Sequence, residues 1–599
     1  MSSSTRVPYR SLLRQRPRPA YPCCQTFAST QRRAASESAW DPRSPFPQGP
    51  PKPAAATPAV TNTQKGTSSG ERTSPERKNV KGNSSGSVVS SSSSSSGSGS
   101  ILPKPRLDYK KITANAQAIT LNAILRRAPI PRDTVFHITR LYETSLTLRR
   151  KIDSVKHKQR DIGLAIKAGG GSSAVEQAKK LKTKVGEYTK VLEETERELL
   201  ELGLKLPNDT FAGTPVGSEE HAVELERLGR EVTKEEETRG ADMTRDHLSI
   251  AQYWDWVDTP ASAITTGNSW PFLKSTLALL EQALIQYSMS VAVGKGWTPV
   301  VVPDVVKEDV MARCGFAPRD AGEAGQTYYV TTTPPGTGEE ETPATTATSG
   351  SPSSNLVLAA TAEIPLAALS ANKIIPLSAL PMKYVGISHA FRAEAGARGA
   401  DTRGLYRLHQ FTKVELFAVT ESDNGGDDAG ATEGKVSGEM MMREIVELQK
   451  DVVRGLGLSV RVLDMPTEEL GASAFRKIDM EAWMPGRGKW GEISSTSNCK
   501  DFQSRRLHIR HRARADPTTT SNNTSSTSEI LPFAHTLNGT CAAIPRLLVA
   551  LVENGVIVDT AGDGAERPKG IRLPSMLKRF WYAGDTVGRG EKEGVIEWV

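Results

Sequence analysis

The sequence has few cysteines, and their spacing excludes two common kinds of site. The 599 residues include five cysteines, and none belongs to a C-x-x-C pair or to a Cys/His cluster with zinc-site spacing. A disulfide scaffold and a structural zinc are therefore not expected. Long apolar runs are also lacking, since no run reaches the roughly 20 residues that cross a bilayer. We expect a soluble protein from a reducing compartment.

The first 36 positions contain no acidic residue, although they contain seven arginines. A segment that is rich in Arg and Ser and poor in acids is typical of a mitochondrial transit peptide. The alternative is a disordered basic tail that binds nucleic acid. Residues 37–100 are largely Ser, Pro and Gly, with too little apolar surface to fold. We expect residues 1–105 to be a transit peptide and disordered leader, in a protein of the mitochondrial matrix, with the cytoplasm as the alternative.

Two amphipathic stretches follow, and a glycine-rich break separates them. Between positions 138 and 166, apolar residues recur at alternating steps of three and four. The pattern stops at Gly169-Gly170-Gly171 and resumes from Ala178 to Leu202. Two heptad stretches joined by a short turn predict an antiparallel coiled-coil hairpin.

The first helix of this hairpin is basic. Residues 140–167 include eight Lys or Arg against three Asp or Glu, in a chain whose net charge is +8. A charged face on a coiled coil is often only a solvated surface. A protruding basic rod is also suited to the phosphate backbone of RNA, because such contacts need charge and reach rather than a pocket.

The most specific pattern lies further along the chain. Residues 391–396 are F-R-A-E-A-G, and after a loop residues 404–415 are G-L-Y-R-L-H-Q-F-T-K-V-E, which predicts strand, loop and strand. Charged residues on neighbouring strands are unusual in a plain core. They are suited to ATP and an amino acid. Arg392 offers a planar donor fork to a phosphate, Phe411 offers a stacking face for adenine, and Glu415 can bind an ammonium or a hydroxyl.

Four weaker patterns flank this one. A helix at 273–293 leads into a proline-ended strand at 296–303, and the triplet Thr361-Ala362-Glu363 follows an apolar stretch. The string E-I-S-S occupies positions 492–495, and residues 538–546, N-G-T-C-A-A-I-P-R, open an apolar helix. Each string alone means little, since T-A-E also fits a strand-end turn with a surface glutamate.

Together these strings resemble the seryl-tRNA synthetases, a family of class II aminoacyl-tRNA synthetases. The resemblance covers about 107–583, apart from apparent low-complexity insertions at about 331–354, 422–437 and 511–528. One departure is Gly399-Ala400-Asp401, where the family usually has G-R-D. A basic contact with the tRNA acceptor end is therefore missing, although Arg398 lies close enough to substitute for it.

The resemblance implies an α+β fold in two parts. Residues 106–210 would form the tRNA-binding coiled-coil arm, an N-terminal antiparallel hairpin. Residues 211–599 would form the class II catalytic domain, built on an antiparallel sheet flanked by helices. The helix and strand between 273 and 303 would form the interface of a homodimer.

The resemblance also implies roles for individual residues. The serine-binding residues would be Thr361, Ala362, Glu363, Arg392, Glu415, Asn538 and Thr540. The ATP-binding residues would be Arg392, Ala393, Glu394, Arg407, Leu408, Phe411, Glu492, Ile493, Ser494, Ser495 and Arg546. Of these, Glu492 and Ser495 would hold Mg²⁺, and Arg392 and Arg546 would be catalytic. The tRNA-binding residues would be Arg149, Arg150, Lys151, Lys156, Lys158 and Arg160.

The implied reaction activates L-serine with ATP and transfers it from seryl-adenylate to tRNA-Ser. If the leader directs import, this reaction serves mitochondrial translation. Neither a membrane nor DNA is expected as a partner. Two alternatives stay open. One is a catalytically inactive, synthetase-like RNA-binding protein, and the other is a class II synthetase for another amino acid such as threonine or proline.

Overall fold

The computed structural model describes residues 102–169, 171–316, 327–330, 355–394, 404–422, 437–512, 531–560, 566–588 and 590–599. Residues 1–101 of the leader, nearly all of the three expected insertions, and the Gly399-Ala400-Asp401 segment lie outside these residues. The predictions made for those segments stay predictions.

Four helices form the N-terminal part of the described chain. They are α1 (Tyr109–Ala114), α2 (Ala116–Leu125), α3 (Thr134–Lys167) and α4 (Ser172–Leu204). The long helices α3 and α4 pack against each other as the predicted hairpin. The turn between them contains Gly169 with a φ of +98°, a conformation that favours glycine.

The hairpin is most tightly packed near its base. Ile138, Leu148 and Ile152 of α3 are buried, as is Leu199 of α4. Thr195, the polar exception in the second heptad stretch, is also buried, and its hydroxyl donates to the Val191 carbonyl oxygen at 2.8 Å. Internal bonding of this kind explains how a polar residue fits the apolar seam.

The remaining helices are α5 (Lys234–Arg239), α6 (His247–Tyr253), α7 (Thr259–Thr265), α8 (Ser275–Gly294), α9 (Glu308–Arg313), α10 (Glu363–Ala368), α11 (Gly438–Gly455), α12 (Phe502–Leu507), α13 (Ile544–Gly555) and α14 (Ser575–Lys578). The strands are β1 (Val223–Leu228), β2 (Val257–Asp258), β3 (Phe272–Leu273), β4 (Thr298–Val301), β5 (Val305–Lys307), β6 (Tyr329–Val330), β7 (Leu356–Leu358), β8 (Ile374–Ile375), β9 (Met382–Phe391), β10 (Gln410–Thr420), β11 (Val460–Asp464), β12 (Arg476–Met484), β13 (Lys489–Lys500), β14 (Arg510–His511), β15 (His535–Ala543), β16 (Val556–Thr560), β17 (Glu566–Leu573), β18 (Thr586–Val587) and β19 (Gly594–Trp598).

An eight-stranded sheet is the centre of the fold, with the strand order β1-β11-β12-β13-β15-β10-β9-β4. Its neighbours pair antiparallel except at one edge, where β4 runs parallel to β9. The expected antiparallel sheet flanked by helices is therefore confirmed.

Helices cover both faces of this sheet. Along β10, Leu416 and Ala418 belong to the core cluster that includes residues of α8, α11 and α13. The alternating residues Phe417 and Val419 belong to a second cluster with residues of α9, α10 and α12. Because side chains alternate across a strand, both faces of β10 are buried, which explains its nearly continuous apolar run.

Helix α8 confirms the helix expected at 273–293. It is 20 residues long and, by length and composition, apolar enough to cross a membrane, which the count of apolar runs did not anticipate. Leu277, Leu280 and Leu284 are almost fully buried, and α8 contacts β15, α11 and α13. These contacts identify it as a core helix of the sheet layer.

Two boundaries differ from the sequence interpretation. Strand β9 ends at Phe391, so Arg392 and Glu394 follow the strand, although the pattern at 391–396 predicted that they belong to it. Residues 538–543 belong to β15, and the helix begins only at Ile544, with Pro545 in its first turn. Ladder pairing of β15 with β10 and β13 keeps the first segment extended, and proline is favoured at a helix start.

Candidate active site

A cavity of about 330 Å³ opens among the ends of the central strands, and it collects most of the predicted site residues. Those that line it are Thr361, Glu363, Arg392, Glu394, Arg407, Leu408, Phe411, Glu492, Ser495, Asn538, Thr540 and Arg546. They come from five separate stretches of chain, and the fold brings them together around a volume within the range of small-molecule sites.

Five of the residues predicted to bind serine or ATP do not line the cavity. Ala362 is fully buried at the start of α10, and Ile493 lies in the core cluster. The Ser494 hydroxyl donates to the Thr540 carbonyl oxygen at 2.5 Å, so this side chain joins two strands. Ala393 lies between two lining residues, and Glu415 is buried directly behind the cavity wall.

Two β-bulges determine which side chains face the cavity. Residues three apart on a regular strand point to opposite faces. The register between β12 and β13 shifts at Ile493, so Glu492 and Ser495 both reach the cavity. A similar shift at Cys541 in β15 places Thr540 and Ala543 on the cavity side. Bulges of this kind redirect side chains next to functional sites.

Arg392 and Phe411 form one wall of the cavity. The guanidinium carbon of Arg392 lies 5.4 Å from the centroid of the Phe411 ring. The Arg392 Nε is buried without a hydrogen-bond partner among the described residues. Burial lowers the pKa of Arg392, and the nearby Arg546 lowers it further. A buried cationic donor that lacks a partner is well placed to bind an anion.

Arg546 and Glu492 form a second, ion-paired wall. Arg546 Nη1 lies 3.0 Å from Glu492 Oε1, and the Arg546 guanidinium carbon lies 4.8 Å from the Tyr406 ring centroid. Burial would raise the pKa of Glu492, but Arg546, Lys477 and Arg392 lower it to about 2. Glu492 is therefore a carboxylate at neutral pH.

The donors around Glu492 fit a magnesium ion. The Glu492 carboxylate and the Ser495 hydroxyl both face the cavity and are hard oxygen ligands. Asp479 pairs with Ser495 across the strands, and its Oδ1 is buried with no hydrogen-bond partner among the described residues. This oxygen-rich corner is compatible with Mg²⁺ bound mainly through nucleotide phosphates.

Thr361, Lys413 and Glu415 form a buried polar cluster at the other end. Glu415 is 1% exposed, lies 2.6 Å from Lys413 Nζ and accepts a hydrogen bond from the Thr361 hydroxyl at 3.3 Å. Burial raises the pKa of Glu415, while Lys413 opposes the shift. The sequence interpretation missed Lys413, although alternation along β10 places residues 411, 413 and 415 on one face.

Glu363 belongs to the same end of the cavity. Its Oε1 accepts a hydrogen bond from the Gln503 side-chain amide at 2.6 Å, and Gln503 in turn accepts one from the Thr536 hydroxyl at 2.8 Å. Burial and the neighbouring Glu415 raise the pKa of Glu363 to about 7. Gln503 is a further residue that the motif strings did not reveal.

The cavity lining is more basic than acidic. The cations that line it are Arg392, Arg407, Lys413, Lys477 and Arg546, and the acids are Glu363, Glu394 and Glu492. The sequence interpretation also missed Lys477, whose Nζ lies 2.5 Å from Asp479 Oδ2. This excess of positive charge favours a polyphosphate ligand.

Glu394 and Arg407 lie at the cavity rim. Arg407 Nε is 3.7 Å from Glu394 Oε2, and Glu394 has a φ of +48°, which is unusual for a residue other than glycine. Strained backbone is found preferentially at ligand sites. Glu394 directly precedes the segment 395–403, which is outside the described residues.

The six basic residues predicted to bind tRNA lie on α3, and their side chains are exposed. Arg149 differs from the others because its Nη2 and Nε both donate to Glu196 of α4, at 2.7 and 3.0 Å. Lys156 and Arg160 are four residues apart and therefore lie on one helix face. Arg149 is the least available of the six for a phosphate.

The chain is similar to known proteins over most of its length. The sequence model of the tRNA synthetase class II core domain (G, H, P, S and T) matches residues 348–555. The chain is 38% identical over 480 residues to the mitochondrial serine–tRNA ligase of Schizosaccharomyces pombe, covering 80% of this chain and 89% of that protein. It is 37% identical over 495 residues to the mitochondrial serine–tRNA ligase of Saccharomyces cerevisiae, covering 80% and 95%.

A solved structure is also similar. The seryl-tRNA synthetase from Pyrococcus horikoshii complexed with ATP has a TM-score of 0.63 and 27% sequence identity, and the match covers 79% of this chain and 98% of that one. The core-domain match includes β9, β10, β12, β13 and β15, so it spans the strands that surround the cavity.

Proposed function

Because the chain belongs to the serine–tRNA ligase family of class II synthetases, we propose that its cavity is where L-serine and ATP react before transfer to tRNA-Ser. The observation that carries this proposal is the cavity itself. It joins a basic wall suited to a triphosphate with a buried cluster of carboxylates suited to an amino acid.

The first step forms seryl-adenylate. A carboxylate oxygen of serine attacks the α-phosphorus of ATP, the bond from that phosphorus to the bridging oxygen breaks, and pyrophosphate leaves. Arg392 binds the α-phosphate, where its unpaired Nε adds positive charge in the transition state. The reaction needs positioning and charge neutralisation, and no covalent nucleophile of the protein takes part.

The nucleotide lies along the basic wall. Phe411 stacks on adenine, and Arg546, oriented by Glu492 and Tyr406, binds the outer phosphates. Arg407 and Glu394 at the rim contact the nucleotide, together with the backbone at Ala393 and Leu408. Ile493 and Ser494 contribute only through the strand that carries Glu492 and Ser495, because their side chains lie outside the cavity lining.

Glu492 and Ser495 would hold Mg²⁺, which when bound offsets the negative charge of the phosphates. Lys477, which is missing from the motif strings, lies beside these residues and adds a fixed positive charge at the same corner.

Serine binds at the carboxylate end. Glu363 binds the ammonium group and Thr540 binds the hydroxyl, with Thr361 and Asn538 completing the wall. Glu415, the other residue assigned to the hydroxyl, lies behind that wall and would exchange its hydrogen bond from Thr361 for one from serine. Alanine would leave these buried polar groups unpaired, and a site built for a hydroxyl can reject such an analogue by about 10⁴-fold. Lys413 balances the charge of Glu415 and limits the cost of its burial.

The second step esterifies tRNA. A hydroxyl of the terminal ribose attacks the carbonyl carbon of the adenylate, and AMP leaves. The hairpin within residues 106–210 grips the tRNA through the basic face of α3, and residues 211–599 contain the catalytic domain. This division places the phosphate-binding charges on the arm and the chemistry on the sheet.

A homodimer is proposed from one edge of the central sheet. Strand β4 is the edge strand next to β9, and its Val301 is 96% exposed. An apolar side chain on an unpaired edge is a liability unless another surface covers it. A second copy of the chain would cover this side chain. Light scattering of purified protein tests the proposal, because Val301→Lys should then yield monomers. A variant that remains dimeric would mean that the interface lies elsewhere.

Mitochondrial location is proposed from the arginine-rich, acid-free leader, and two fungal relatives bear the name of mitochondrial enzymes. A reporter fused to the full chain should reach mitochondria and should remain cytosolic when residues 1–40 are deleted. Import without this leader would contradict the transit-peptide prediction.

The enzymatic proposal is tested by ATP–pyrophosphate exchange with a panel of amino acids. Serine alone should support rapid exchange, and Arg392→Gln should abolish it, since this residue carries the unpaired donor. Exchange with threonine or proline in place of serine would redirect the assignment to another class II synthetase. Absence of exchange with every amino acid would favour an RNA-binding protein without catalysis.

A further inference from the structure

A buried His–Glu pair lies outside the cavity and none of the motifs includes it. His247 begins α6 and Glu553 lies near the end of α13, and their side chains are 4% and 0% exposed. His247 Nδ1 lies 2.7 Å from Glu553 Oε1. Acids and histidines are seldom buried so fully unless a structural or functional task requires it.

The hydrogen bonds define the protonation of this pair. The backbone N–H of Leu405 donates to His247 Nε2 at 3.1 Å, so that nitrogen is an acceptor. The imidazole proton must then be on Nδ1, which donates it to Glu553. Asp246 is close by, but its Oδ2 caps α6 by accepting from Ser249. With Nδ1 protonated, this group of three is a hydrogen-bonded cluster and not a metal site.

The pair connects two chain segments to the cavity wall. Leu405 directly precedes Tyr406, and the other Glu553 oxygen, Oε2, accepts from the Arg487 backbone N–H at 3.2 Å. The Arg487 guanidinium carbon lies 3.5 Å from the centroid of the Tyr406 ring. Both bonds of the pair therefore end beside Tyr406, a residue that lines the cavity.

Tyr406 also contacts Arg546, the arginine assigned to catalysis. The guanidinium carbon of Arg546 lies 4.8 Å from the same ring centroid. Arg546 and Glu553 are seven residues apart on α13, so they lie on one face of that helix, two turns from each other. The segment 404–406 thus lies beside one face of α13, with Arg546 in the first turn of that helix and Glu553 in its last turn.

Two glycines show that the pair is enclosed on both sides. A Cβ added at Gly404, whose φ is +83°, would lie 2.2 Å from His247 Nε2. A Cβ added at Gly486 would lie 2.8 Å from Glu553 Cδ. The backbone approaches the imidazole and the carboxylate too closely for any side chain, which is a geometry that only glycine allows.

We infer that His247 and Glu553 are positioning residues, which fix Tyr406 and thereby the orientation of Arg546 toward the phosphates of ATP. This inference rests on the proposed function only in the identity of the ligand. Its consequence is specific: weakening the pair impairs the use of ATP and leaves the recognition of serine intact. The residues that we propose to bind serine lie on β10, β15 and at α10, whereas the hydrogen bonds of the pair end on the chain beside Tyr406.

Two variants of the full chain separate the bonds. Glu553→Gln conserves volume but presents one N–H group to the two donors, so one of their bonds is lost. His247→Asn keeps a donor toward Glu553 and removes the acceptor for Leu405. Each should raise the KM for ATP in serine-dependent exchange by about tenfold, the change expected for the loss of one buried hydrogen bond. The KM for serine should stay within about twofold of the wild-type value, which is well below the change in the KM for ATP.

Tyr287→Phe is the matched control. Tyr287 is buried in α8, outside the cavity lining, and its hydroxyl donates to the Val452 carbonyl oxygen at 3.1 Å. Losing this bond should lower the melting temperature and leave both KM values unchanged. The inference is overturned if the folded variants keep the wild-type KM for ATP, or if both KM values rise together.

A second measurement separates this inference from the proposed function. ATP alone should raise the melting temperature of the wild type more than that of either variant. If the wild type shows no serine-dependent exchange, the proposed function fails, and equal ATP-induced shifts would then overturn the positioning inference as well. If Glu553→Gln does not fold, His247→Asn decides by the same two readouts.

Discussion

Arg546 is bonded twice to Glu492 through one nitrogen: its Nη1 lies 3.0 Å from the carboxylate Oε1 and donates to the main-chain oxygen at 3.1 Å. Arg546 lies in the first turn of α13, and Glu492 lies on β13. A side chain tied to both the backbone and the carboxylate of one residue is held in a single orientation, which is what transition-state charge stabilisation requires.

We predict that Arg546→Gln lowers kcat for serine-dependent exchange by on the order of 10²–10³-fold, the loss expected for one preorganised charge-stabilising donor. Glu492→Gln should lower kcat as well, because it removes the negative charge that pairs with Arg546 and that we propose to bind Mg²⁺. The double variant should be little worse than the worse single variant, since residues that act as a unit are not additive. Fully additive losses would mean that the two residues act independently.

Lys413 provides the second prediction. Its removal in Lys413→Met would leave Glu415, which is 1% exposed, without its ionic partner. Breaking a buried pair in this way costs about 3–5 kcal/mol of the free energy of unfolding. The pKa of Glu415 should also rise further, because Lys413 opposes the shift that burial causes. Urea denaturation should report the loss of stability, and the KM for serine should rise.

The control is the double variant Lys413→Met with Glu415→Gln. Removing both charges should restore much of the lost stability, because no unpaired buried charge remains. It should not restore the KM for serine if Glu415 binds the substrate hydroxyl. Recovery of serine binding together with stability would show that Glu415 has only a structural role.

The motif strings located the cavity, but they could not select every side chain in it. Thr361, Glu363, Arg392, Phe411 and Arg546 all line it as expected. The resemblance to the seryl-tRNA synthetases supplied these residues, because T-A-E and the other weaker strings mean little alone.

What the strings could not provide is register and long-range contact. E-x-x-S would place Glu492 and Ser495 on opposite faces of a regular strand, and only the bulge at Ile493 brings both into the cavity. Nothing local specifies that bulge. The His247–Glu553 pair joins residues 306 positions apart, and neither residue belongs to a periodic or spaced pattern. Contacts of this kind depend on the tertiary fold.

The third prediction concerns pH. Burial and Glu415 raise the pKa of Glu363 to about 7, and a carboxylate is needed to bind the serine ammonium. As the pH falls through 7, Glu363 takes up a proton and its attraction for the ammonium is lost. The KM for serine should therefore rise on acidification, approaching about tenfold per pH unit well below the pKa. Exchange rates at several serine concentrations between pH 6 and 8.5 measure it.

Gln503→Met sharpens this test. The Gln503 amide donates to Glu363 at 2.6 Å and lowers its pKa, so the variant should begin to lose serine affinity at a higher pH. The KM for ATP in the same samples is the internal control and should not follow this profile. A serine KM that is constant across the range, or a profile that the variant does not shift, would exclude Glu363 as the titrating group.

The last prediction separates the arm from the chemistry. Lys156 and Arg160 are exposed on one face of α3, whereas the Arg149 guanidinium is already paired with Glu196. Lys156→Glu with Arg160→Glu should weaken tRNA charging and reduce its dependence on salt by about one unit of slope for each lost phosphate contact. ATP–pyrophosphate exchange should be unaffected, because it needs no tRNA.

Arg149→Gln is the matched control on the same face of α3, and it should lower tRNA charging far less, because this guanidinium is already paired with Glu196. An equal loss of charging would mean that the total charge of the helix matters more than unpaired donors to phosphate.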